Sequence, residues 1–234
     1  MFAKISVRHI ARTAFFAGAL TIFALPSIAQ RGPLGEILQR MDNFNKGLSS
    51  LKSSVTMVKT NAQLGESDTN IGTTSYLPKT GKRPMYARVD WTRPVEENIV
   101  IIGDKYQLFR PALRQVIEGT TASARGSDKV GGALQFMSMS REQLKANYDV
   151  RYIGEETISD GTKTFHLELT PKTATSYKLA DLWVNADGLP QQAKITERNN
   201  DTTTVLLTNV KTNVRTDTAI FKLNLPKNVQ KVKA

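Results

Sequence analysis

The chain has 234 residues, a formal net charge of +11 and no cysteine. This length fits one sizeable domain, and the positive charge favours acidic partners, of which an anionic membrane surface is one. Solubility alone explains the charge equally well, because the basic residues form no continuous block. The absence of cysteine excludes disulfides, thiolate metal sites and a lipid-accepting cysteine.

The first 29 residues have the pattern of a cleaved secretory signal peptide. An almost wholly apolar run at positions 13–25 follows three basic residues and precedes the small residues Ser27 and Ala29. A run of this length is too short to span a bilayer. We therefore expect cleavage after Ala29 and export to the periplasm of one soluble domain, residues 30–234, that is not itself a lipoprotein. Because the leader holds no acidic residue, this domain keeps a net charge of +8.

The mature domain begins with a predicted helix and continues as strands. Proline at position 33 suits a first helical turn, apolar residues follow at helical spacing, and Gly47 is the expected stop. From Leu51 onward, alternation of apolar and polar residues predicts about eleven antiparallel strands joined by short turns. The clearest are 85–91, a hairpin of 98–102 and 105–109 around Gly103-Asp104, 165–169, 182–184 facing 191–197, and 202–210 after a turn at 199–201.

A different composition interrupts the strands in the middle of the chain. Residues 118–132 are rich in Gly, Ser, Thr and Ala, which is typical of a mobile loop. An apolar stretch follows, and Ser140 with Gln143 then forms a capping-box signature for a short helix ending near Tyr148. We expect residues 118–139 to act as a movable lid, with adaptable methionines on its apolar surface. Alternatively, the apolar residues Leu134, Phe136 and Met137 plug the end of a barrel as permanent core.

These elements predict an α+β fold that is mainly β. An antiparallel sheet of this length must curl and cover its apolar face, and the helices are the candidate cover. Such a half-barrel either packs solid or leaves an apolar cavity.

The order of these features resembles the periplasmic lipoprotein-carrier family, the LolA and LolB-like proteins. The resemblance covers nearly the whole mature chain and lies in the collinear order of strand, turn and proline signals. The matching segments are the Met41-containing helix leading to Leu51-Lys52-Ser53, the strand 72–76, Lys82-Arg83-Pro84, Trp91-Thr92-Arg93-Pro94, Ile99-Val100 with Gly103-Asp104-Lys105, Arg110-Pro111 with Gln115, the segment 167–172, Leu182-Trp183-Val184 with Gly188-Leu189-Pro190, and the segment 221–226.

The resemblance implies a curved antiparallel sheet forming an incomplete β-barrel, covered by the N-terminal helix and a short helical lid. It implies a lipid-binding domain that holds the acyl chains of lipoproteins and transfers them between membranes. The implied partners are acylated lipoproteins or other lipids, an inner-membrane transporter complex and an outer-membrane acceptor, with transient membrane contact. We expect no nucleic acid, no cofactor and no metal.

Strand parity and the lid composition predict which residues line the cavity. A single bulge reverses the facing of every residue beyond it, so these assignments depend on the register. The predicted lining residues are Met85, Val89, Trp91, Val100, Ile102, Phe136, Met137, Met139, Leu167, Leu169 and Trp183.

Arg83 is the predicted hand-over residue. The resemblance places it on an arginine that the family associates with control of lipoprotein transfer. Parity puts Arg83 on the face of Val89 and Trp91, where a guanidinium can hydrogen-bond lid carbonyls or a lipid's ester and head-group oxygens. Alternatively, Arg83 only begins a strand before Pro84.

Enzyme chemistry has little support in the sequence. His166 is the only histidine outside the leader, and strand alternation places it beside Glu168 on a solvated face. There is no nucleophile-elbow motif, no P-loop and no zinc spacing, so we expect no catalytic residues. Two further functions stay open: carriage of another envelope lipid or glycolipid, and a lipid-sensing or scaffold module. Arg114, Arg125 and the loop 118–132 depart from the pattern of dedicated lipoprotein carriers and leave the cargo open.

Overall fold

The computed structural model of the protein describes residues 32–121 and 139–234. The predicted signal peptide, most of the predicted loop and three apolar residues of the predicted lid, Leu134, Phe136 and Met137, lie outside the described residues. The described residues belong to one compact unit.

The described part of the chain contains two α-helices, two short 3-10 helices and twelve strands. In chain order they are α1 (Pro33–Gly47), β1 (Leu51–Thr60), β2 (Ser67–Leu77), β3 (Tyr86–Arg93), β4 (Glu97–Ile102), β5 (Lys105–Arg110), a 3-10 helix (Pro111–Leu113), β6 (Gln115–Thr120), α2 (Arg141–Asn147), β7 (Tyr148–Thr157), β8 (Lys163–Pro171), β9 (Tyr177–Asn185), β10 (Pro190–Glu197), β11 (Thr202–Thr212), a 3-10 helix (Thr218–Phe221) and β12 (Gln230–Lys233).

Both predicted helices are confirmed. Helix α1 begins with a proline at its first turn and buries Ile37, Leu38 and Met41 on one face. Helix α2 begins with the expected capping box, in which Ser140 accepts a hydrogen bond from the backbone N–H of Gln143 and the Gln143 side chain accepts one from the backbone N–H of Ser140.

All twelve strands of the described residues form one sheet in the order β12-β6-β5-β4-β3-β2-β1-β11-β10-β9-β8-β7. Neighbouring strands are antiparallel except β12 and β6, which are parallel. The sheet is curved and open, with β12 and β7 at its two edges, so the predicted fold class is confirmed. Its middle seam is the pairing of β1 with β11.

Different segments of the chain pack against the two faces of the sheet. We call inner the face whose apolar residues cluster with α1, and outer the opposite face. On the inner face, Val55 of β1, Leu108 of β5 and Leu182 of β9 belong to one buried cluster with Leu38 and Met41 of the helix. This cluster is the main core.

A smaller cluster covers part of the outer face. Phe221 and Leu223, near the C-terminal end, pack with Leu77 and Val100 of the sheet. The Arg88 guanidinium donates a hydrogen bond to the carbonyl of Ile220 and so ties the second 3-10 helix to β3. This cluster therefore covers the outer face at the end of β2 and in the middle of β4.

Candidate functional site

The inner face contains four of the predicted cavity residues. Val89, Trp91, Leu167 and Leu169 are all buried in the main core. Of two further predicted residues, the structure places one against this core. Met139 is half-buried against the same cluster, and its carbonyl accepts a hydrogen bond from the Asn45 side chain of α1. Met85 is half-buried just before β3.

Val100 and Ile102 lie on the outer face, so their predicted facing is wrong. Val100 pairs with Arg88 and packs with Phe221, whereas its neighbour Ile99 points to the main core. The cause is that β4 is apolar on both faces: a strand covered on both sides loses the alternation from which parity is read.

The predicted facing of Trp183 is also wrong. In the β8–β9 register Leu182 lies opposite Leu167 on the inner face, whereas Trp183 lies opposite His166 on the outer face. Residues 180–184 are all buried, so this strand also shows no alternation.

Arg83 occupies a tight turn between β2 and β3. Its backbone exchanges two hydrogen bonds with Thr80, and its Nη2 donates to the Pro78 carbonyl and to Thr80 Oγ1, both at 3.3 Å. Its Nε is buried and has no hydrogen-bond partner among the described residues. The turn therefore fixes the side chain and leaves one donor free; the hand-over role stays a prediction.

A row of polar side chains crosses the inner face at the far end of β3 from Arg83. Trp91 of β3 lies directly opposite Glu97 of β4, whose Oε1 accepts a hydrogen bond from Arg110 Nε at 3.0 Å. Arg110 pairs in turn with Gln115 of β6. The Glu97 side chain is 7% exposed and that of Arg110 is 33% exposed, so the row runs from the core towards solvent.

Sequence reasoning missed this row. Its members are spread over residues 91–115, and only strand pairing brings them together. The single signal in the sequence is a charged residue at each end of the apolar hairpin, Glu97 and Arg110, a spacing that antiparallel pairing around a two-residue turn makes adjacent.

The outer face contains a second charged cluster, around His166. Its Nδ1 lies 2.8 Å from Glu156 Oε1 and its Nε2 lies 2.9 Å from Asp181 Oδ1, while its ring stacks on Trp183 at a centroid distance of 4.5 Å. The His166 side chain is only 13% exposed, so the predicted solvated histidine is wrong. The Asp181 carboxylate also lies 3.8 Å from Lys194 Nζ.

The cluster lowers the pKa of Glu156. A hydrogen bond from Trp183 Nε1, 2.6 Å from Glu156 Oε2, is the largest cause, and the contact with His166 adds to it. The cluster clamps β7, β8 and β9 together on the outer face, which is a structural role. Within residues 32–121 and 139–234, no group of three or more His, Asp or Glu side chains is placed to hold a metal ion.

Two surface grooves are present in the described part of the chain. One, of about 680 Å³, lies over the outer face near the β4–β5 hairpin and includes Val100, Ile102 and Lys233. The other, of about 270 Å³, is polar and lies at the ends of β1, β2 and β11. Neither of these two grooves includes the buried inner-face residues named above.

None of the helices in the described ranges has both the length and the hydropathy that a membrane-spanning helix requires.

The family model of outer membrane lipoprotein carrier protein LolA matches residues 80–224. The chain belongs to the LolA family. This match includes β3 to β11 and therefore both Trp91 and Arg110 of the inner-face row. The family is named for a carrier rather than for an enzyme.

Solved structures show the same LolA-type fold at low sequence identity. An uncharacterized conserved protein from Thermus thermophilus is 14% identical, with a TM-score of 0.55, over 86% of this chain and 99% of that chain. A DUF1329 family protein from Desulfovibrio piger is 19% identical, with a TM-score of 0.50, over 80% and 95%. MucB is 16% identical, with a TM-score of 0.50, over 84% and 64%. No curated protein sequence matches the chain.

Proposed function

We propose that this LolA family member is a periplasmic carrier of lipoproteins. It binds their acyl chains at the inner face of the sheet and moves them from an inner-membrane transporter complex to an outer-membrane acceptor. The observation that carries the proposal is the extended apolar cluster on the inner face of a sheet that does not close. No catalytic group is required, because binding and release do the work.

The energetics of transfer fit such a carrier. Burying a sixteen-carbon acyl chain is worth about 12 kcal/mol gross at about 0.8 kcal/mol per methylene, before ordering and association costs. A bilayer offers the chain nearly the same apolar environment, so net transfer lies close to balance. Small differences between the empty and the loaded protein then set the direction.

In the structure the inner face is filled by its own side chains. Leu167, Leu169 and Trp91 are 2% exposed or less. Cargo therefore replaces protein–protein contacts of similar chemistry, and this substitution keeps the net affinity moderate, as reversible carriage requires.

Mass spectrometry of lipids that co-purify with the periplasmic protein tests the proposal. Acylated peptides are the expected result. Free glycolipids or other envelope lipids would instead support a carrier for non-lipoprotein cargo. Protein that is free of lipid, and that also fails to take up a fluorescent acyl probe, would contradict the carrier and favour a sensing or scaffold module.

A further inference from the structure

The interior contains buried polar atoms that no group in the described part of the chain satisfies. Among the described residues three buried side-chain atoms have no hydrogen-bond partner: Ser53 Oγ, Arg83 Nε and Trp91 Nε1. Ser53 and Trp91 both lie on the inner face, and Arg83 lies just before β3. Buried donors without partners are rare and destabilising, so each demands an explanation. A ligand that brings the acceptor is one.

Of these three atoms, Trp91 Nε1 is the best candidate to bind a ligand, because a second residue of the row, Arg110, also has N–H groups that can donate hydrogen bonds. Two interstrand steps away, roughly 10 Å, is Arg110. Its Nε is engaged by Glu97, while its Nη groups have no partner among the described residues. The row thus offers one indole N–H in the core and guanidinium N–H groups at its more exposed end.

The net charge of the row indicates which kind of ligand oxygen it can accept as a hydrogen-bond partner. Glu97 balances the charge of Arg110 at a distance of 3.0 Å, so the row presents donors without a net positive charge. An uncharged oxygen suits such a site better than an anion, because Glu97 repels a second negative group placed beside it. Carbonyl oxygens are uncharged acceptors of this kind.

The apolar residues beside the row are placed to receive the acyl chain attached to such a carbonyl. Val89 and Ile99 form the next pair along the same face, and Leu108 continues it on β5. A carbonyl bound at Trp91 therefore leaves its acyl chain free to run along these residues towards the start of β3.

We propose that the Trp91 indole N–H, at the buried end of the row, binds the ester or amide carbonyl that joins the cargo's acyl chain to its head group. This rests on the proposed function and adds to it: the cargo is bound in one orientation, with its carbonyl at the row and its chain directed towards the Arg83 end of the inner face. Trp91 is then a specificity-determining donor as well as part of the apolar surface.

Competition between matched lipids tests the proposal on the unmodified protein. Dipalmitoyl glycerol and its dihexadecyl ether analogue have equal chains and differ in their carbonyls. Each is titrated against a bound fluorescent acyl probe. We expect the ester to compete about tenfold better than the ether, the effect of one hydrogen bond.

Substituting each tryptophan gives a matched pair, because Trp91 and Trp183 are the only two in the chain. Trp91→Phe keeps an aromatic ring and removes the N–H, so the ester preference should fall to within twofold while ether binding persists. Trp183→Phe removes an N–H on the outer face and should keep the preference. In Trp183→Phe, Trp91 is the sole tryptophan, and its emission should shift to the red with the ester but not with the ether. That measurement does not depend on the folding of Trp91→Phe.

Three results would overturn the carbonyl assignment. Equal competition by ester and ether in the wild type would show that the row ignores carbonyls, while leaving the carrier proposal intact. An ether-linked phosphate lipid that binds as well as the ester, and loses its binding in Trp91→Phe, would assign the row to phosphate. Failure of every acyl lipid to displace or bind would remove the carrier proposal as well.

Discussion

At the β2–β3 turn, the side chain of Arg83 makes hydrogen bonds within its own turn. It donates to the Pro78 carbonyl and the Thr80 hydroxyl, which closes the turn from which β3 begins. The predicted parity places residue 83 in line with Val89 and Trp91, so we expect its charge to end the apolar surface of the inner face there. On the proposed function, we expect a charged group at this end to limit how tightly an acyl chain is held.

Replacing Arg83 with leucine should slow the release of cargo and leave its uptake near normal. Leucine extends the apolar surface, so the loaded state gains stability and release to acceptor vesicles should slow by about tenfold for every 1.4 kcal/mol gained. Transfer of a fluorescent acyl probe from protein to vesicles measures this. Lys82→Leu is the matched control, because Lys82 is an exposed neighbour with the same charge. Equal release rates for Arg83→Leu and wild type would leave Arg83 with its role in the turn alone.

The lowered pKa of Glu156 predicts a loss of stability in acid. Because hydrogen bonds from Trp183 and His166 favour the charged carboxylate, its contribution is complete above the unfolded pKa, about 4.3, and is lost as the pH falls through the lowered folded pKa. Glu156→Gln should therefore cost up to about 1 kcal/mol at pH 7, since the side chain is 45% exposed, and less at pH 3.

Urea unfolding at the two pH values measures the Glu156 effect. Glu155→Gln is the control, because Glu155 is the exposed neighbour of Glu156 on β7. A cost for Glu156→Gln that is the same at pH 3 and pH 7 would show that the carboxylate contributes by shape and not by charge.

Among the elements, helix α1 depends on a close approach to the β9–β10 turn. Gly188 has a φ of +93°, and a Cβ added there would lie 2.4 Å from the Arg40 carbonyl oxygen of the helix. Gly188→Ala should therefore lose both the backbone freedom of glycine and the close packing of α1, at a cost of more than about 2 kcal/mol. Thermal unfolding measures it.

Gly103→Ala separates these two costs. Gly103 also has a positive φ, +62°, but its added Cβ would meet only Pro84 Cβ at 3.6 Å. It should cost about 1 kcal/mol, the strain of the backbone alone. If the two alanine variants unfold at the same temperature, the helix does not need this contact.

The sequence alone predicts where the helices and strands lie better than it predicts which face of the sheet each strand residue occupies. The α1 helix, the capping box at Ser140 and the 98–109 hairpin are predictable from local signals: helical spacing, a side-chain cap and a two-residue turn. Facing depends on what covers each strand. Where the second face of a strand carries polar side chains, as Arg88 does beside Val89, the alternation shows which residues face the core. Where both faces carry apolar side chains, as in β4 at Val100, it does not.

The candidate site was predictable only in its apolar half. Val89, Leu167 and Leu169 are recognisable as alternating apolar residues, whereas the polar row of Trp91, Glu97 and Arg110 exists only once three strands are in register. Long-range pairing sets that register, and single-strand periodicity carries no information about it.

For the molecule as a whole, the charge predicts a reversible attraction to anionic membranes. The domain after the expected leader carries +8, with basic residues spread along the chain, so attraction should be broad and weak. We expect this domain to sediment with phosphatidylglycerol vesicles at low salt and to leave them at about 0.5 M salt, where screening shortens the reach of charges. Phosphatidylcholine vesicles are the control. Binding that persists at high salt would indicate apolar insertion instead.

The pairing of β1 with β11 also determines how early in synthesis the sheet can be completed. Leu51 lies opposite Thr212, a partner 161 positions later in the chain. Synthesis proceeds from the N-terminus, so β1 to β6 are made long before the strand that joins them to β7 to β10. Contacts this distant in sequence slow folding, because the loop must close before they form. The chain therefore stays incompletely folded until nearly all of it is available, a delay that suits the export predicted from its leader sequence.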